Sequence, residues 1–171
     1  LHPDHCGCNA YFRRATILCH GAEVAAAQAS GAESHGYLRQ EWDQPQGFQT
    51  FNAEHDVFGD GRLVLLPMPG HTPGMTVARV STQREGVFVL ASDAAPLQVN
   101  IDEGVAPKNT WNLDLAAKAL ADLGERRSCV FRAHRGEPQR VAAFREAVGH
   151  VAERGVVLAE RRRQPGRGAA R

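Results

Sequence analysis

Long apolar runs are missing from this 171-residue chain. Runs such as Val87-Phe88-Val89-Leu90-Ala91 fall far short of the roughly 18 residues that a membrane-spanning helix needs. No basic start leads into an apolar stretch, as it would in a secretory signal. Neither feature offers a membrane attachment. Cysteine is scarce, with four in the chain, Cys6, Cys8, Cys19 and Cys129. Cys6 and Cys8 stand one residue apart, which is not the C-x-x-C spacing of a zinc knuckle or redox pair. The expectation is reduced thiols and a cytoplasmic setting. The G-x-S-x-G turn that presents a serine nucleophile is absent. Excess charge of one sign is also lacking, since the formal net charge is +1, so no nucleic-acid partner is expected. Six Arg against two Glu in residues 151–171 do make the end basic, but a segment with no aromatics and with Pro165, Gly166 and Gly168 suits a disordered tail.

What remains is ordinary for one globular domain: 43% hydrophobic and 23% charged residues. Strand-like runs are Ala15–Cys19, Leu63–Leu66, Met75–Val80 and Ser128–Phe131, with Val87–Ala91 expected to be fully buried. Helical patterns lie between them. Residues 21–29 are Ala-rich. Leu113, Ala116, Ala117, Leu120 and Leu123 repeat at helical spacing, with Asn112 as the expected cap and Gly124 as the stop. Val141–Leu158 suits a further helix. Residues 31–52 show weak periodicity and suggest a long loop or an irregular helical insertion, and such loops are often functional. Mixed strands and helices give a layered α/β (α+β) class. The domain expectation is 1–139 for a partial domain and 140–171 for a helical segment with a basic tail.

Four features carry chemistry. His2-Pro3-Asp4-His5 puts three metal-ligand types in four residues, and neutral imidazole with carboxylate suits zinc-like ions. The same cluster also fits a solvated turn. Pro69-Gly70-His71-Thr72-Pro73-Gly74 follows a strand directly, and its glycines and prolines build a stiff loop around one His. A tight turn with an incidental His would look the same. Asp93 ends the apolar strand Val87–Ala91, where a carboxylate is costly unless paired, metal-bound or used as a cap. His134 follows the strand Ser128–Phe131 and is weak evidence alone.

Their order is more telling than any one of them. His-x-Asp-His, then Gly-His-Thr-Pro-Gly after a strand, then Asp and His after later strands resembles the metallo-β-lactamase superfamily, over residues 1 to about 139. The Asp-His-Cys-Gly start, the Pro-Gly-His-Thr-Pro-Gly loop, and Ala-Ser-Asp-Ala followed by Lys108-Asn109-Thr110-Trp111-Asn112 resemble its N-acyl-homoserine lactonase branch. The resemblance implies an αββα sandwich and two metal ions, usually zinc. His2 and His71 would hold the first, Asp4, His5 and His134 the second, and Asp93 would bridge them. Asp4 and Asp93 would serve catalysis. Paired ions lower the pKa of a shared water, which then attacks an ester or lactone carbonyl of a small-molecule substrate. A thioester hydrolase of the same fold and a non-catalytic remnant are the alternatives.

The chain also departs from the pattern. The family's first motif carries a further His two positions before the one matching His2, ahead of Leu1, and strands before that. This predicts an N-terminally truncated sandwich whose first site keeps only His2, His71 and Asp93. Pro96 stands where lactonases of this branch often carry a Tyr. Ala133-His134-Arg135 replaces Gly-His-Asp at the last ligand. The oligomeric state is not legible.

Overall fold

The computed structural model describes residues 1–83, 86–126 and 130–131. Val141–Leu158, the tail, Cys129 and His134 lie outside the described residues.

Five strands form one sheet in the order β3-β4-β5-β6-β7. They are β3 (His55–Asp56), β4 (Leu63–Pro67), β5 (Thr76–Ser81), β6 (Val87–Leu90) and β7 (Val130–Phe131). The first three neighbour pairs are antiparallel, with Leu66 opposite Val77 and Val80 opposite Phe88, whereas β7 joins β6 in parallel. Alternation explains why β4 forms: Val64 and Leu66 are buried while Leu63, Leu65 and Pro67 are half-buried.

The buried face of the sheet packs on two helices. α5 (Leu113–Glu125) contributes Ala119, Leu120 and Leu123, and α4 (Gln98–Glu103) contributes Ile101. Val64, Val77 and Val89 meet them from the strands, with Met68 and Met75 filling the hairpin end. Asn112 caps α5 as its side chain accepts the Leu115 N–H at 3.0 Å. Gly124 does not stop this helix. The helix continues to Glu125, and a Cβ at Gly124 would meet only Ile101 at 3.9 Å, so the glycine sits in a helical turn without ending it. β6 is also less buried than its run suggests. Val89 is buried and Phe88 and Leu90 are half-buried, whereas Val87, at the strand's first position and on the same face as Val89, is exposed because the core does not reach that end.

A second, smaller sheet pairs β1 (Ile17–His20) in parallel with β2 (Phe48–Phe51). Within residues 31–52 the short helix α3 (Arg39–Trp42) agrees with the helical-insertion alternative, whereas β2 is a strand that neither alternative anticipated. α2 (Gly21–Gln28) follows β1. Cys6, Ala27, Ala32, Tyr37 and Trp42 make the core of this part, with Leu1 and Phe48 packed against it. Among the described residues, no helix is long and apolar enough to cross a membrane.

Candidate metal centre

The first candidate ligands sit on α1 (Pro3–Cys6), a single helical turn. Pro3 opens it, where a missing N–H costs nothing and the fixed φ suits a helix. The turn folds back so that the N–H groups of His5 and Cys6 both reach the His2 carbonyl at 3.0 Å. Asp4 and His5 are thereby directed outward together, and His5 Nε2 lies 3.3 Å from Asp4 Oδ2.

Asp93 comes from 88 residues further along the chain than His5. It lies in a 3₁₀ turn, Ser92–Ala94, just past β6. Ser92 holds φ at +47°, the left-handed region that a residue with a Cβ enters at a cost of about 1–2 kcal/mol. Strain of this kind collects where a side chain must be aimed. Asp93 Oδ2 accepts from His5 Nε2 at 2.9 Å and lies 3.4 Å from His71 Nε2. One carboxylate oxygen thus faces two imidazoles.

His71 is held from three sides. Its loop joins β4 to β5, closed by the Met68 N–H on the Met75 carbonyl at 2.8 Å. The start of α5 grips it, because Trp111 N–H donates to His71 O at 3.1 Å and Asn112 N–H to Gly70 O at 3.0 Å. From α2, the buried Glu23 carboxylate accepts the Gly74 N–H at 3.0 Å. A Cβ on Gly74 would lie 2.4 Å from the Glu23 backbone N, so only glycine permits this approach.

The His71 ring is buried, and neither Nδ1 nor Nε2 has a hydrogen-bond partner. Burial lowers its pKa from the ordinary 6.5, against the opposing pull of Asp93. An orphaned, neutral imidazole aimed at a carboxylate is costly in water-free surroundings unless it serves as a ligand. His2 has the complementary arrangement. Its Nε2 donates to the His35 carbonyl at 3.1 Å, which leaves Nδ1 as the nitrogen available to a ligand. The ring meets His71 edge-on, centroids 5.2 Å apart, and Tyr37 at 5.1 Å. Gly36, at φ +89°, makes room for it: a Cβ there would press on the His2 ring at 3.3 Å.

The structure therefore gathers five of the six sequence-predicted ligands, His2, Asp4, His5, His71 and Asp93; His134 lies outside the described residues. Ligand atoms of Asp4, His5 and Asp93 all fall within 4.8 Å of one another. The donor set of imidazole and carboxylate, the orphaned His71 ring and the doubly approached Asp93 oxygen all fit divalent cations. Sequence reasoning missed the residues behind the ligands: the His35 carbonyl, Gly36, Tyr37 and Glu23. The weak periodicity of residues 31–52 marked the first three as belonging to an irregular segment. Glu23 had a signal too, since a charge four residues before the buried Ala27 places it on the inward face of α2. A cavity of about 480 Å³ adjoins the centre through His71, with His35, Tyr37 and Trp111 also in its wall, and touches none of the other four ligand candidates.

An α/β protein that converges histidines on a shared aspartate at strand ends belongs to the class of metal-binding hydrolase folds. Residues 1–130 match the metallo-beta-lactamase superfamily, and the chain belongs to that superfamily. It is 29% identical to the N-acyl homoserine lactonase AttM of Azorhizobium caulinodans, over 88% of this chain and 60% of that protein. It is 30% identical to an N-acyl homoserine lactonase of a Bacillus species, over 73% of this chain and 47% of that one. The chain thus spans about half the length of the curated relatives it matches. Among solved structures, an N-acyl homoserine lactone hydrolase with N-hexanoyl-L-homoserine bound at its catalytic metal center superposes with a TM-score of 0.67. That match has 24% identity and covers 77% of this chain and 52% of the other, which establishes the shared fold.

Proposed function

We propose that this chain carries the metal centre of a zinc-dependent hydrolase that opens the lactone ring of N-acyl homoserine lactones. His2 and His71 would hold one ion, Asp4, His5 and His134 would hold a second, and Asp93 would serve both. The observation that carries the reading is the approach of His5 Nε2 and His71 Nε2 to one oxygen of Asp93, at 2.9 and 3.4 Å. When bound, paired ions supply an activated water and a Lewis acid for the carbonyl.

The chain's own residues do the rest. The His35 carbonyl fixes the His2 tautomer, which orients a ligand and raises its basicity. Burial keeps His71 neutral, the state in which it can donate a lone pair. Asp4 keeps most of its carboxylate open to solvent. It takes the proton given up by the attacking water and returns it to the homoserine oxygen as the ring C–O bond breaks. Pro96 carries no hydroxyl, so it cannot make the phenol contact that a Tyr would offer the substrate carbonyl.

The test is hydrolysis by the purified chain with added zinc. Proton release from N-hexanoyl homoserine lactone is followed beside cleavage of an acylglutathione thioester. The lactone should be consumed, and Asp93→Asn should lower the rate on the order of 100-fold or more, because losing even a partner outside the ligand set costs 10–100-fold. Cleavage of the thioester without the lactone would assign the centre to thioester hydrolysis instead. Cleavage of neither, with zinc bound, would refute the proposal.

A further inference from the structure

We infer that Glu23 is the positioning residue of the His71 loop, holding the imidazole at the bearing from which it meets Asp93 and an ion. The inference rests on the reading of His71 as a ligand and goes beyond it, to a residue outside the ligand set.

Glu23 is a charged side chain only 5% exposed, in a helix otherwise built of alanine and valine on its inner face. A buried carboxylate is expensive unless each oxygen has a donor. Both do. Oε2 accepts the Gly74 N–H, and Oε1 accepts from the Leu1 nitrogen, two residues' breadth from the other end of the centre. Those two donors are informative, because Gly74 closes the loop that carries His71 and Leu1 adjoins His2. One carboxylate therefore ties together the two segments that supply the His2–His71 pair, whose rings lie 5.2 Å apart. The fit admits no slack: a Cβ on Gly74 would strike the N, Cα and Cβ of Glu23 at 2.4–2.7 Å. The opposite end of the loop is fixed by α5, where a Cβ on Gly70 would meet the Ala116 Cα at 2.7 Å. On the Gly74 side, Glu23 supplies the tether that ties the loop to α2, beside the Met68–Met75 and Thr76–Gly74 bonds that close the hairpin itself.

The two nitrogens that meet the carboxylate, of Gly74 and Leu1, can only donate, and the Thr72 and Tyr37 hydroxyls lie against it as well, so a carboxylate accepts where an amide would present one oxygen. Glu23→Gln keeps the volume but offers one acceptor oxygen and an NH2 that meets a donor. Carboxylate at this position, rather than length or polarity, is what the arrangement requires.

The experiment is a cobalt titration of the metal-free chain, native and Glu23→Gln, read by the visible absorption of the bound ion, with amide hydrogen exchange at Gly74. In Glu23→Gln, cobalt affinity should fall 10–100-fold, the range for partners that orient a ligand. Gly74 exchange should quicken at least tenfold against the amides of the β4–β5 ladder. Native-like cobalt affinity with an unchanged spectrum would overturn the inference, even if the variant melts earlier, since a merely structural Glu23 would lower stability without touching the ion. The native chain alone gives a second measurement should Glu23→Gln not fold. Coupling is reciprocal, so bound cobalt must slow Gly74 exchange beyond that of the ladder; no such slowing overturns the inference. If the native chain takes up no cobalt, the metal-centre reading fails and the claim that Glu23 serves an ion fails with it. Gly74 exchange in the variant then separates that failure from failure of the tether itself.

Discussion

Replacing Gly74 by Ala is the sharpest test of how the His71 loop is seated. The added Cβ would lie 2.4 Å from Glu23 N and Cβ and 2.7 Å from Glu23 Cα. Ordinary contact for such atoms is about 3.5–4.0 Å, so the loop or the helix must retreat by roughly 1 Å. The obstacle includes the backbone of α2, and no rotamer change relieves it. Overpacking of this kind costs about 1–3 kcal/mol. A retreat of that size also stretches the Gly74 N–H···Oε2 bond, now 3.0 Å, out of range. Losing a buried bond to a charged group adds about 1.5–3 kcal/mol. A combined cost of about 3–5 kcal/mol corresponds to a melting point lower by about 6–20 °C in a chain of this size. The assay is thermal unfolding by circular dichroism, with a parallel zinc titration. Gly59→Ala is the control: a Cβ there meets nothing within 4 Å, and only its φ of +71° imposes strain, about 1–2 kcal/mol. Equal melting points and equal zinc affinities in the two variants would refute the reasoning, because they would mean that α2 does not bear on the loop.

Three further outcomes are expected. Asn112→Ala removes the cap of α5, which the Leu115 N–H now uses at 3.0 Å; stability should fall by about 1 kcal/mol in urea unfolding, and zinc affinity should fall with it, because the same turn grips the His71 loop. The Cys19 thiol is pushed up to about 11 by burial, partly offset by the chain's amino terminus. A thiol whose folded pKa lies above its unfolded value keeps its contribution to stability below about 9 and loses it as pH rises toward 11, so Cys19→Ala should flatten the alkaline limb of a stability–pH curve. At pH 8, peptide mapping after brief alkylation should find the exposed Cys8 modified before the buried Cys6 and Cys19.

The parts of the fold that were legible in the sequence are those governed by local pattern. β4 and β5 follow from alternating apolar residues, and α5 from apolar spacing behind Asn112. β2 escaped because only Phe51 of its four residues is buried and its pairing with β1 is made across some thirty residues of sequence, which no local window sees. α4 escaped because it is six residues long and is set by Asn100, whose side chain reaches back to the Leu97 N–H and on to the Val105 carbonyl. At the site, the ligand types and their order were legible because metal chemistry restricts the residues that can serve. What was not legible was the support: the His35 carbonyl is a backbone atom with no sequence identity, and the spacing of Glu23 and Ala27 marks an inward-facing acid without showing which loop it holds.

The contact between His5 and Asp93 spans 88 residues of chain. Any ion gripped by both closes a loop of that length, just as a covalent cross-link would. Cross-linking 88 residues removes unfolded-state entropy equivalent to about 4–5 kcal/mol, a large share of the 5–15 kcal/mol that holds a typical domain together. Metal supply would then set how long the chain survives as well as what it can do. Chelation should shorten its lifetime against proteases in proportion to the loop it reopens.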